Sequence, residues 1–158
     1  MDKNQKAFME QAIKVASDNV KNGIGGPFGA VIVRGNDIIA TGYNTVTSSN
    51  DPTAHAEVNA IRNACKTLNT FQLDDCDIYS SCEPCPMCLS AIYWARLKNV
   101  YFAGSRYDAE DAGFDDSFIY NELAKAVDER TVKIEQILSE EGKDPFKVWA
   151  EYEQRIEY

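Results

Sequence analysis

The chain has 158 residues, 44% of them apolar and 26% charged, with five cysteines, one histidine and a formal net charge of −9; that length supports a single domain whose core needs no covalent staples. Its polar start carries no apolar leader and no apolar run reaches membrane-spanning length, which predicts a reducing cytoplasm and cysteines used as thiols or metal ligands rather than disulfides. Residues 1–106 carry ten acidic and ten basic side chains and residues 107–158 fifteen and six; without a basic stripe to neutralise phosphates the chain is unsuited to nucleic acid, and a small neutral or cationic substrate fits it better.

Apolar or small residues at Phe8, Ala12, Val15, Ala16 and Val20 follow helical spacing and predict an amphipathic helix over residues 4–22, ending near Gly23. After the turn "GIGGP", the runs "FGAVIV" and "DIIATGY" read as two strands joined by a hairpin at Arg34-Gly35-Asn36-Asp37. The polar loop "NTVTSSNDPT" leads to a second helix, with Ala54, Val58, Ile61, Cys65 and Leu68 as its expected buried stripe. "CDIYSSC" reads as a strand, "PCPMCLSAIYWARL" as a helix and "NVYFAGS" as the next strand. That order is the βαβ unit, so this part of the sheet is expected to be parallel, with helices on both faces. Beyond it the sequence predicts a loop, "RYDAEDAGFDD", a helix from about Ser117 to Ala126, a strand "TVKIEQIL" and a last amphipathic helix, "DPFKVWAEYEQRI".

Three cysteines fall within seven residues, at Cys82, Cys85 and Cys88. Cys85 and Cys88 open a helix, where two thiolates can converge on one ion and the helix dipole favours their ionised form. Thirty residues earlier lies His55, with Glu57 two positions on. Residues two apart point roughly 200° away from each other in mid-helix. Both can therefore serve one site only if His55 stands at the very start of its helix, and Asp51-Pro52-Thr53 supplies a start signal there. Cys82 lies across Glu83-Pro84 at the end of a strand and reads as a small buried residue. His55, Cys85 and Cys88 then leave one position of a tetrahedral zinc open for water, and Glu57, close but unbound, is the natural general base and acid. Two alternatives stay open: a thioredoxin-like dithiol, which gives His55 and Glu57 nothing to do, and a closed structural zinc module with Cys82 as fourth ligand.

"HAE" at 55–57 and "PCPMC" at 84–88 resemble the paired signature of the zinc-dependent cytidine deaminase superfamily. "GIGGPFGAVIV", "TSSNDPTAHAEV", "SCEPCPMCLSAIYWAR", "AGFDDSFIY" and the ending "EY" look like the small bacterial guanine deaminases within it. The resemblance implies an α/β fold: a three-layer α/β/α sandwich around a mixed five-stranded sheet. It implies a single deaminase domain over 1–158, with an acidic C-terminal appendage from about residue 131 that is exchanged with a partner subunit in a homodimer. It further implies one zinc per subunit and hydrolysis of the free base guanine to xanthine and ammonia. Deamination of a triazine, cytosine or adenosine in tRNA stands as the alternative. On the family pattern Phe28 stacks on the base, Asn44 meets its hydrogen-bonding edge, Trp94 walls the pocket, Asp116 accepts from its N–H groups or relays a proton, and Tyr158 reaches a partner's site. Plainer roles are open to each: core packing for Phe28 and Trp94, a turn for Asn44 and a helix cap for Asp116.

Overall fold

The computed structural model describes residues 3–158, and the chain forms two compact units, Met1–Asp116 and Ser117–Tyr158. In the first, α1 (Lys3–Lys21) precedes the hairpin of β1 (Gly29–Arg34) and β2 (Asp37–Tyr43). Gly35, at φ +62°, takes the first central position of the turn, where a two-residue II′ hairpin places glycine. A single short turn, α2 (Val46–Ser49), leads to α3 (Ala56–Leu68). Then come β3 (Asp77–Cys82), α4 (Pro86–Trp94), β4 (Asn99–Gly104) and α5 (Arg106–Asp111).

The sheet runs β2-β1-β3-β4, with β1 antiparallel to both β2 and β3 and β3 parallel to β4 across the predicted βαβ unit. Central strand β1 is buried along nearly its whole length, as a strand covered on both faces must be. Its alternate residues enter two separate cores. Ala30 and Ile32 join Ile78 of β3 beneath α3 and α4, whereas Val31 and Val33 join Tyr79 beneath α1, where Phe8 packs. The first unit is therefore three layers, helix, sheet, helix.

Small residues bring both helix layers close. On α3 the deepest ridge is Ala56, Ala60 and Ala64, one helical turn apart, and the predicted Ile61, Cys65 and Leu68 flank it. Gly42 of β2 is where that ridge rests: a Cβ there would lie 2.2 Å from the Ala56 carbonyl oxygen and 2.3 Å from the Ala60 nitrogen. On α1 the expected stripe ends differently. Val20 is exposed and Asn19 is buried, because Asn19 has carbonyls to bind: its Nδ2 donates to Gly26 O at 2.8 Å and to Asn44 O at 2.9 Å.

Two expectations are corrected. The described residues contain four strands, not five: residues 131–138, predicted as a strand, take no regular structure. In the unit Ser117–Tyr158 the regular elements are α6 (Ser117–Ala124), α7 (Asp144–Glu151) and two 3₁₀ turns, so no neighbouring strand within that unit can complete a ladder for it. The carboxylate of Glu122 instead takes the Thr131 N–H and hydroxyl, at 2.6 and 3.0 Å. The loop expected after β4 contains α5, started by a capping box between Ser105 and Asp108. Among the described residues no helix is long and apolar enough to cross a membrane.

Candidate active site

His55 is the N-cap of α3 and Cys85 the N-cap of α4, with Pro86 on the first turn of α4. The start signal at Asp51 works one step earlier than expected. The Asp51 carboxylate takes the Thr53 N–H at 2.8 Å and its hydroxyl at 2.7 Å, turning the chain so that His55, not Asp51, caps the helix. Two helix N-termini thus meet over the C-terminal end of β3, and both direct their first side chains to one point.

Among the described residues one group of three donors closes on a common centre: His55, Cys85 and Cys88. His55 Nδ1 lies 3.6 Å from Cys85 Sγ and 3.5 Å from Cys88 Sγ. A tetrahedral zinc at about 2.3 Å from sulfur and about 2.0–2.1 Å from nitrogen sets N and S roughly 3.5–3.6 Å apart. The three donors therefore fit the ion. Their charges ask for one as well. The hydrogen bond from Cys88 pulls the Cys85 thiol down to about 4, and that same bond, with burial, pushes the Cys88 thiol up. The pair on its own shares a proton, and a dication between the sulfurs would hold both as thiolates. The Cys85 sulfur also raises the His55 pKa above the ordinary imidazole value, against the opposing effect of burial.

Cys82 stands apart from this group. It lines the cavity, but its thiol donates to the Ser105 carbonyl at 3.5 Å, and burial pushes its pKa up to about 11. Glu57 is 6% exposed, and burial raises its pKa above the usual carboxylate range. Its Oε1 accepts from Ser80 Oγ at 3.1 Å, and its Oε2 lies 3.4 Å from Cys88 Sγ. A carboxylate held beside a metal site without joining its donors is placed for proton transfer.

His55, Cys85 and Glu57 line a cavity of about 260 Å³, whose walls include Phe28, Asn44, Phe114, Arg106 and Asp116. Phe28 and Phe114 meet edge to face, with centroids 5.0 Å apart. Asn44, one of the lining residues, accepts the Val46 N–H on its Oδ1 at 3.2 Å. Burial, and then the Cys85 charge, raises the pKa of Asp116. Phe28, Asn44, His55, Glu57, Cys85 and Asp116 are thus brought together around one cavity, and the buried Cys88 meets two of them, His55 and Glu57. Trp94 is not part of that wall; it is exposed at the end of α4, with the Arg96 guanidinium 5.9 Å from its ring centroid. Tyr158 belongs to the unit Ser117–Tyr158 and is also exposed. Three residues went unmarked in the sequence. Phe114 and Arg106 flank the acidic run, where aromatic and basic side chains stood out too little. Ser80 is a hydroxyl in the middle of an apolar strand, and that was its only signal.

Residues 2–104 match the family described as the cytidine and deoxycytidylate deaminase zinc-binding region. The chain is 56% identical over 155 residues to the guanine deaminase of Bacillus subtilis (strain 168), covering 98% of this chain and 99% of that one. It superposes on a crystal structure of guanine deaminase from Bacillus subtilis with a TM-score of 0.95 and 55% identity, covering 100% of this chain and 99% of that chain. The tRNA-specific adenosine deaminase of Bacillus subtilis (strain 168) is 39% identical over 95 residues, 60% of this chain and 58% of the relative.

Proposed function

This chain belongs to the zinc-binding cytidine and deoxycytidylate deaminase family, and from that premise we propose that it is a zinc-dependent hydrolase converting guanine and water to xanthine and ammonia. The observation that carries the chemistry is the buried Glu57 beside the three converging donors. The substrate rests on the guanine deaminase that matches this chain end to end. His55, Cys85 and Cys88 hold the zinc, which when bound supplies a Lewis acid able to bring the pKa of water near 7. Glu57 takes the first proton of water as the water oxygen bonds C2 and passes it to the ring nitrogen beside C2; it then takes the second proton from the new hydroxyl and gives it to the 2-amino group, so that ammonia leaves as the C2–N bond breaks. A new C2–O bond replaces it.

The cavity walls suit that base. Phe28 offers a face for stacking, Asn44 Nδ2 a donor for an acceptor edge, and Asp116 an acceptor for N1–H and the amino group. A purine lacking those donors leaves the Asp116 carboxylate unpaired, which is how such a site rejects it. We further read the working form as a homodimer in the cytoplasm, with the acidic appendage from about residue 131 exchanged between subunits, so that Tyr158 serves a second copy's site. Exposed apolar side chains support this reading: Leu89, Tyr93 and Trp94 along α4, Phe102 on edge strand β4, and Val132 and Ile134 in the appendage.

The test is ammonia release from guanine, cytosine, cytidine, adenine and an anticodon RNA stem-loop. Guanine is expected to react far faster than the rest, with xanthine as product, and a preference for any other member overturns the assignment. Exchange of the appendage is tested by mixing Glu57→Gln chains with chains lacking Tyr158. Activity above either parent supports exchange, and none contradicts it.

A further inference from the structure

Ser80 has no reason in the fold to be polar. It is the fourth of six residues of β3, is 2% exposed, and points with Ile78 to the core beneath α3 and α4. An aliphatic residue satisfies that position by propensity and packing, whereas a buried hydroxyl costs free energy unless it is bonded. The bond it makes is to the carboxylate that stands beside the metal donors without joining them: Ser80 Oγ to Glu57 Oε1, 3.1 Å. Space for that carboxylate comes from the next strand, where the cross-strand neighbour of Ser80 is Ala30, itself fully buried.

We infer that Ser80 is a positioning residue for the deamination, fixing Glu57 Oε1 so that Oε2 alone is turned toward the reacting atoms. Glu57 rises from the first turn of α3 on a side chain with three rotatable torsions; its own backbone N–H and the Cys88 thiol also reach the carboxylate, and the Ser80 hydroxyl is the contact that ties Oε1 to the sheet. With Oε1 held, Oε2 faces the Cys88 sulfur at 3.4 Å, on the side of the metal donors. A carboxylate that swings between rotamers meets the substrate in productive geometry for only part of the time, and misplacement on the ångström scale is enough to slow a proton transfer a hundredfold. Ser80 neither lines the cavity nor belongs to the metal donors, reaching the site only through Glu57, so its effect should fall on turnover and not on binding.

The inference rests on the deaminase reading, and three variants separate the two. Ser80→Ala removes the hydroxyl and fits the space; Ser80→Thr keeps the hydroxyl and adds a methyl to a full core. If Ser80 positions Glu57, Ala lowers kcat about tenfold to a hundredfold with KM and zinc content at wild-type values, whereas Thr keeps kcat within a few-fold while its Tm falls. If Ser80 merely fills the core, kcat tracks Tm in both, and the inference is overturned. In a Glu57→Gln background, Ser80→Ala should produce no further drop in residual rate; a second drop of the same size overturns it as well. An unaffected Ser80→Ala in an active wild-type enzyme removes the inference and leaves the deaminase reading standing. A wild-type protein that carries zinc but releases no ammonia from any base removes both.

Discussion

Replacing Gly42 by alanine should loosen the whole site from a distance, because the first turn of α3 rests on β2 through that missing side chain. The added Cβ would sit 2.2 Å from the Ala56 carbonyl oxygen and 2.3 Å from the Ala60 nitrogen, both backbone atoms that no rotamer change can move. To reach ordinary contact the start of α3 must retreat by about 1 Å, an overpacking that costs about 1–3 kcal/mol. At about 2–4 °C per kcal/mol for a chain of this size, Tm should fall by about 2–12 °C. That retreat carries His55 and Glu57 with it. The 3.1 Å bond from Ser80 to Glu57 would stretch beyond hydrogen-bond range, and a misplacement of that size costs about 10²-fold in kcat. Thermal unfolding followed by circular dichroism, with steady-state kinetics on guanine, measures both. Gly142→Ala serves as the control, since nothing lies within 4 Å of a Cβ there, and the unfolded-chain effect should leave it unchanged or up to about 1 kcal/mol more stable. A Gly42→Ala protein with wild-type Tm and wild-type kcat would refute the claim that this contact sets the site.

Glu57→Gln should retain zinc and lose about 10²–10⁴-fold in kcat, measured by ammonia release and metal analysis on the same preparation. Asp116→Asn should keep zinc while kcat/KM for guanine falls, and equal loss of both would point to misfolding. The same variant carries a pH signature. Burial raises the Asp116 pKa in the folded chain, so the folded state holds that proton more tightly than the unfolded state, and stability is lost as pH rises from the ordinary 3.8 through the raised value. Asparagine removes that loss, so its Tm should exceed wild type at pH 7 and the gap should close in acid; a lower Tm at neutral pH contradicts it. Deleting Glu157-Tyr158 should lower kcat without changing zinc content, and full activity in the truncated enzyme would dismiss a role for the tail.

The zinc donors were legible because their chemistry is tied to spacing. A lone histidine two residues before a glutamate works only at a helix start, and the structure puts His55 at the N-cap of α3 and Cys85 at the N-cap of α4. The sheet was legible through β4 for a similar reason, since "CDIYSSC", an apolar helix and "NVYFAGS" admit little besides a βαβ unit. What failed was structure that depends on neighbours distant in sequence. "TVKIEQIL" alternates as a strand does, yet a strand exists only beside another, and residues 131–138 stay irregular. Helix periodicity favours Val20 over Asn19 as a buried residue; two backbone carbonyls from residues 26 and 44, invisible to that periodicity, reverse the choice. The α5 helix was readable after all, in the Ser105-x-x-Asp108 capping box inside a run whose acidity suggests a loop.

The central claim is that three side chains hold the metal and Cys82 does not. Zinc per chain, determined on purified Cys82→Ala, Cys85→Ala, Cys88→Ala and His55→Ala proteins, decides it. One zinc per chain in the Cys82 variant, with guanine turnover retained, and metal lost from the other three is the result this account requires. Loss of zinc from Cys82→Ala to the same extent would mean a closed four-ligand centre with no place for water, and the hydrolytic mechanism would fall with it.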